Sequence, residues 1–159
     1  MVLHIDSDAS YLSLPHARSR VAGHCYLSNA SPNPSLPSPN SPKRNGAIYT
    51  LCKRLRYVLA SATEAELAAL FHNGQEAAVI RITLMEMGYR QPPTPIKTDN
   101  STTNGITNKS VTPSKTRSMR MRFYWVRNRV TQKKNYNLLE TWKRQFCGLF
   151  FKISPTNPL

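Results

Sequence analysis

Carboxylates are scarce in this chain, and three of them fall where they could work together. The 159 residues include only 8 Asp and Glu against 22 Lys and Arg, giving a formal net charge of +14. In a chain so short of acids, a cluster of carboxylates would need a reason to exist. Asp8 lies in an early strand-like stretch, Glu66 in the first turns of a helical pattern, and Asp99 at the end of a short strand-like run. Two divalent ions held about 4 Å apart by such groups can hydrolyse a phosphodiester, one activating the attacking water and the other stabilising the leaving oxygen. Magnesium takes hard oxygen ligands and keeps several waters, so a few Asp and Glu suffice. Spacing alone leaves other readings open. Three carboxylates on three elements are commonly caps and surface charges. Asp6 shares a strand face with Asp8 and could take its place.

The element that must carry Glu66 is the longest helical pattern in the chain, Ser61 to Gly88. Ser61 is a fit N-cap, and Glu64, three residues on, completes a capping box. Leu67, Leu70 and Phe71 recur at helical spacing, and Val79, Ile82, Leu84 and Met85 continue the apolar face. His72-Asn73-Gly74 is a weak point that predicts either one kinked helix or two. Gly88 suits the C-terminal cap. Upstream, Val2 to Leu12 predicts a strand carrying Asp6 and Asp8. A turn at Pro15 and a second strand over Arg20 to Leu27 follow, pairing as a hairpin. Residues 28–45 are Pro, Ser and Asn with almost nothing to bury, and predict a flexible excursion. Ala47 to Leu59 is taken as a third strand. After the helix, Pro92, Pro93 and Pro95 force an extended link into a strand, Ile96 to Asp99. Asn100 to Asn108 suits a short helix, Lys109 to Thr116 a polar loop, and Arg117 to Arg129 a basic, aromatic helix with Met121, Trp125 and Val126 as its apolar residues. Beyond Asn135 no regular pattern continues. The order β-β-β-α-β-α predicts an α/β fold, a mixed sheet with helices packed against it.

The charge balance favours a nucleic-acid partner, because phosphate contacts reward clustered Lys and Arg. Cys25, Cys52 and Cys147 make no C-x-x-C pair, which suits a reducing compartment and no zinc site. No apolar run reaches the roughly 18 residues needed to span a membrane, and no signal peptide opens the chain. The expected location is cytoplasmic or nuclear, not secreted. His4, His16, His24 and His72 are scattered, and surface or core roles suit them better than metal binding. Phe123, Tyr124 and Trp125 among Arg122, Arg127 and Arg129 suit core packing with a wet arginine face, and alternatively a stacking grip on nucleic acid. Ser101, Thr102 and Thr103 are candidate caps.

Taken in order, IDSDASYL, RVAGHCYLSN, ASATEAELAALFHNGQEA, PTPIKTDNSTTNGITN and SKTRSMRMRFYWVRNRV resemble the ribonuclease H domain that ends the polyprotein of copia-type LTR retrotransposons, over about residues 3–134. The combination of S-D-A at Ser7 to Ala9, T-E-A-E at Thr63 to Glu66 and T-D-N at Thr98 to Asn100 is specific. The resemblance implies a ribonuclease H-like fold, a two-metal site for magnesium or manganese, and the RNA strand of an RNA–DNA hybrid as substrate. It places the family's catalytic, metal-binding acids on Asp8, Glu66 and Asp99, and leaves Asp6 and Glu64 to structural roles.

Two departures qualify it. Arg120 stands where the family usually has Asp. The family also ends on a W-K-P-G strand and a helix bearing a last catalytic Asp, whereas no Asp follows Asp99 in this chain. Back-translated with permissible codons and read one register over, the tail from Leu139 gives Y-W-K-P-G-K-D-N-F-V-D-Y-F-S-K-Y. That is the missing ending, so a frameshift near Asn135 to Leu138 accounts for it. The expected organisation is a ribonuclease H-like domain over 1–137 and an aberrant tail over 138–159 with its last helix degraded. Glu140 is the one acid left that could stand in. The function implied is impaired or absent hybrid cleavage. The alternatives are a basic nucleic-acid-binding remnant or a functionless pseudogene product.

Overall fold

The computed structural model describes residues 1–28, 45–99, 117–132 and 135–139. The predicted excursion beyond Ser28, the short helix and loop after Asp99, the side chain of Arg120, and the tail with Glu140 lie outside these residues. Strands β1 (Val2–Leu14), β2 (Arg18–Ser28) and β3 (Tyr49–Arg54) lead into helix α1 (Ala62–Glu86). Strand β4 (Thr94–Thr98), helix α2 (Arg117–Thr131) and strand β5 (Asn135–Leu139) follow. The five strands form one mixed sheet in the order β3-β2-β1-β4-β5. The pairs β1–β2 and β2–β3 are antiparallel, while β1–β4 and β4–β5 are parallel. β5 was not expected from the sequence, and its ladder with β4 runs to Leu139.

Alternation along β1 separates two faces. Leu3 and Ile5 pack with Cys25, Ile96, Leu70 and Ala77 beneath α1, and Val21 and Leu51 meet Ala65, Ala68 and Ala69. Small alanines on the inner side of α1 let the helix lie close to the sheet. Leu67 continues the core sideways to Phe123 and Val126 of α2, with Phe71 against Trp125. Fully burying a side chain such as Leu67, Phe123 or Val126 contributes about 1.5–3 kcal/mol relative to exposure. The inward residues of α2 differ in part from expectation, since Met121 is exposed and Phe123 is the fully buried residue. On α1, Val79, Ile82 and Met85 also face outward, because Ile80 and Leu84 already cover the sheet.

α1 is one helix through His72-Asn73-Gly74. Asn73 is buried, and its Nδ2 donates to Ser7 Oγ and to the Ala22 carbonyl, both at 2.9 Å. The sheet thus satisfies the amide donor that made this position look like a break. Ser61 is the N-cap, its hydroxyl accepting from Glu64 N, while the Glu64 carboxylate accepts from Ala60 N. Gly88, just past the C-terminus, has φ +88°, the left-handed conformation that glycine adopts without penalty. No described helix is long and apolar enough to cross a membrane.

Candidate metal centre

Three elements deliver one carboxylate each to the same place. In the parallel β1–β4 ladder Ile5 pairs with Ile96 and Asp6 with Lys97. Continued by two residues, that register sets Asp8 of β1 beside Asp99, the residue that follows β4. The antiparallel hairpin fixes β1 independently, with Asp8 opposite Ala22. The capping box starts α1 at Ala62, so Glu66 falls in its second turn, above these strands. The carboxylate oxygens of Asp8, Glu66 and Asp99 all lie within 4.8 Å of one another. Glu66 is held by a backbone bond as well, its Oε1 accepting from Ala9 N at 3.2 Å.

The electrostatics are those of carboxylates gathered at one point. Glu66 is buried, Asp8 half-buried and Asp99 exposed. Burial, then the Asp8 charge, then the Asp99 charge push the Glu66 carboxyl up from 4.5 to about 9, and the Ala9 N–H only partly offsets them. Its second oxygen, Oε2, is buried and has no hydrogen-bond partner among the described residues. An orphaned buried oxygen facing two further carboxylates is what a hard divalent cation would satisfy. The donor set is all oxygen, which suits magnesium or manganese and not zinc.

Of the other acids weighed from sequence, Asp6 does not join the group, although it is buried one row behind on β1, and Glu64 serves the helix cap. His72 is half-buried against Phe71, and burial, with Lys53 and Arg122 nearby, lowers its pKa. His72 is not one of the group of Asp8, Glu66 and Asp99. The arginines of α2 lie on aromatic rings. Arg122 Cζ sits 4.2 Å from the Tyr57 ring centroid, Arg127 5.8 Å from Phe123 and Arg129 4.9 Å from Trp125. These stacks hold the guanidinium groups in place while leaving them charged. Lys97, buried on β4 two residues before Asp99, carries no distinguishing signal in the sequence. Only the strand register brings it to notice.

No family model matches the sequence, and no curated protein matches it. Solved structures do resemble the fold. RNase H1 from the halophilic archaeon Halobacterium salinarum NRC-1 aligns with a TM-score of 0.55 at 12% identity, over 86% of this chain and 83% of that one. LC11-RNase H1, solved in complex with an RNA/DNA hybrid, aligns with a TM-score of 0.57 at 6% identity, over 87% and 83%. A prototype foamy virus protease-reverse transcriptase mutant aligns with a TM-score of 0.52 at 12% identity, over 90% of this chain but 17% of the viral one. At such identities the likeness concerns the fold alone, and the fold is ribonuclease H-like.

Proposed function

We propose that this chain is a ribonuclease H-like domain derived from a copia-type retrotransposon polyprotein, hydrolysing the RNA strand of RNA–DNA hybrids slowly and only with a divalent metal. The observation that carries the reading is the meeting of Asp8, Glu66 and Asp99 within 4.8 Å at the parallel β1–β4 pair. Asp8, Glu66 and Asp99 are the residues that would hold magnesium or manganese. Bound there, such ions supply the Lewis-acid chemistry that activates water and stabilises a leaving oxygen. Asp8 and Asp99, the less buried of the three, would offer their carboxylates to the cation from the solvent side. Glu66, anchored on Ala9 N, forms the inner wall of the site and would hold the cation as a carboxylate. With a net charge of +14, and with arginines of α2 ordered on aromatic rings, the surface suits a polyanionic partner.

The rate is low in this reading because no Asp follows Asp99 in the sequence. With the metal pair under-coordinated, its position is poorly fixed. The ribonuclease H-like unit is taken as residues 1–137 and the sequence from 138 on as the altered tail. The test is a labelled RNA–DNA hybrid with Mg2+ or Mn2+, comparing the native chain with Asp8→Asn. Slow cleavage of the RNA strand, abolished by EDTA and by the substitution, supports the proposal. Cleavage that persists in Asp8→Asn or without metal overturns the site assignment. Hybrid binding with no cleavage under any metal leaves the second reading, a basic nucleic-acid-binding remnant, which the same missing Asp favours.

A further inference from the structure

Directly behind the carboxylate centre lies a second charged row that the metal reading leaves unexplained. Asp6 and Lys97 are in-register partners on the parallel β1–β4 pair, and both are almost sealed from solvent, at 5% and 6% exposure. The preceding pair, Ile5 and Ile96, is core beneath α1, so Asp6 and Lys97 lie on the opposite face of the sheet. Asp6 shares that face with Asp8 along β1, and Asp99 follows Lys97 by two residues, just past the end of β4. The four residues therefore make a two-by-two lattice, Asp6 beside Lys97 and then Asp8 beside Asp99. Rows are about 7 Å apart along the strands and columns about 5 Å apart between them. His24 is the register partner of Asp6 on its other side, on β2.

A buried ion pair is weak evidence for stability, because desolvation offsets most of the Coulomb gain. A Lys–Asp row costs less when replaced by apolar residues of the same size, so its place on the two central strands calls for another role. We propose that Asp6 and Lys97 are positioning residues whose opposed charges set the divalent-cation affinity of the Asp8–Glu66–Asp99 centre from behind. This rests on the reading above that the centre holds a metal. By strand spacing the backbone of this row lies roughly 7 Å behind that of Asp8 and Asp99. At that range, close to the water-like limit, one unit charge acting on a divalent ion corresponds to about tenfold in affinity. The Lys97 ammonium opposes the incoming cation and the Asp6 carboxylate draws it, so together they nearly cancel while ordering the strands that carry Asp8 and Asp99.

The test is calorimetric titration of Mn2+ into the native chain, Asp6→Asn, Lys97→Met and the double variant D6N/K97M. It is run at pH 8. Asp6→Asn should weaken Mn2+ binding about tenfold, Lys97→Met should tighten it about tenfold, and the double variant should return to within about threefold of the native value. A merely structural pair would weaken binding in both single variants, and that result overturns the proposal, as does no change in either. If Lys97→Met fails to fold, the step from D6N to D6N/K97M measures the same lysine charge without stranding a buried aspartate, and it should tighten binding about tenfold. A native chain that binds no Mn2+ refutes the metal centre itself. Binding in the native chain with both single variants shifting the same way refutes only the pair.

Discussion

Glu66 makes the apo protein less stable as pH rises, and the size of the loss can be worked out. Its carboxyl titrates near 4.5 in an open chain and at about 9 in the fold, raised by burial and then by Asp8 and Asp99. Between those values the folded state holds a proton that the unfolded state has released. Stability therefore declines with increasing pH at up to about 1.4 kcal/mol per unit. The contribution is whole below about pH 4.5, shrinks through neutrality and is gone above about pH 9. From pH 5 to pH 7 the ceiling is about 2.7 kcal/mol, and solvent screening of Asp8 and Asp99 brings it nearer 2 kcal/mol. For a chain of this length that corresponds to a fall in Tm of about 4–8 °C.

The perturbation is Glu66→Gln, which keeps the side-chain size and the acceptor for Ala9 N but cannot ionise. Thermal melts of both proteins in EDTA, at pH 5, 6, 7 and 8, isolate Glu66, because every other titrating group is common to the pair. The Tm of Glu66→Gln minus that of the native chain should widen steadily with pH, by about 4–8 °C between pH 5 and pH 7. Adding Mg2+ at pH 8 should then raise the native Tm and leave the variant nearly unmoved. A difference that stays constant across this range, or that narrows, would refute the argument that burial beside Asp8 and Asp99 holds the proton on Glu66.

Two further outcomes follow from the geometry. Retention on heparin, or affinity for a hybrid, should survive Asp8→Asn and fall linearly on a log–log salt plot with a slope of roughly −0.9 per phosphate neutralised on duplex DNA. A flat response would remove nucleic acid as the partner. Gly23→Ala would set a methyl group 1.9 Å from Asn73 Oδ1 and 2.7 Å from its Cγ, expelling the amide from Ser7 and Ala22. It should cost about 2–4 kcal/mol in denaturant melts, and Asn73→Ala in the same chain should recover part of that loss instead of adding to it.

The sequence disclosed the carboxylate centre more readily than the layer behind it. Local signals place the elements: alternation sets Asp6 and Asp8 on one strand face, the Ser61–Glu64 box starts the helix of Glu66, and the proline-led run ends at Asp99. The selection of Asp8, Glu66 and Asp99 among the acids came from the family resemblance of the motifs around them. The choice between Asp6 and Asp8 was open in the pattern, since both share a face. What separates them is reach, because Glu66 meets β1 at Ala9 N, one residue beyond Asp8. β5 was not legible, because Asn135–Leu139 has no clean alternation and owes its strand state to the edge of β4. The outward Val79, Ile82 and Met85 share their period with an inward face, and periodicity does not say which side meets the sheet. Nothing local marks Lys97 as buried. Only its partner on a strand 91 positions earlier does so.

The same long-range logic explains why a buried asparagine sits in the middle of α1. Asn73 follows Glu66 by seven residues, two helical turns, so both project from one side of the helix. Glu66 reaches the backbone at Ala9, and Asn73 reaches Ser7 Oγ on the same strand and the Ala22 carbonyl on its neighbour. An apolar contact at position 73 would let the helix slide or roll by a fraction of a turn at little cost. Two hydrogen bonds from one amide to two strands do not, because a shift leaves a buried amide unpaired at about 1–3 kcal/mol. Gly23, with no side chain, leaves the space that the amide occupies. The translation and rotation of α1 are therefore set by a polar anchor at Ser7, the residue before Asp8, and at Ala22, the strand partner of Asp8. That anchor carries Glu66 to within 4.8 Å of two carboxylates that would repel it if all three were ionised.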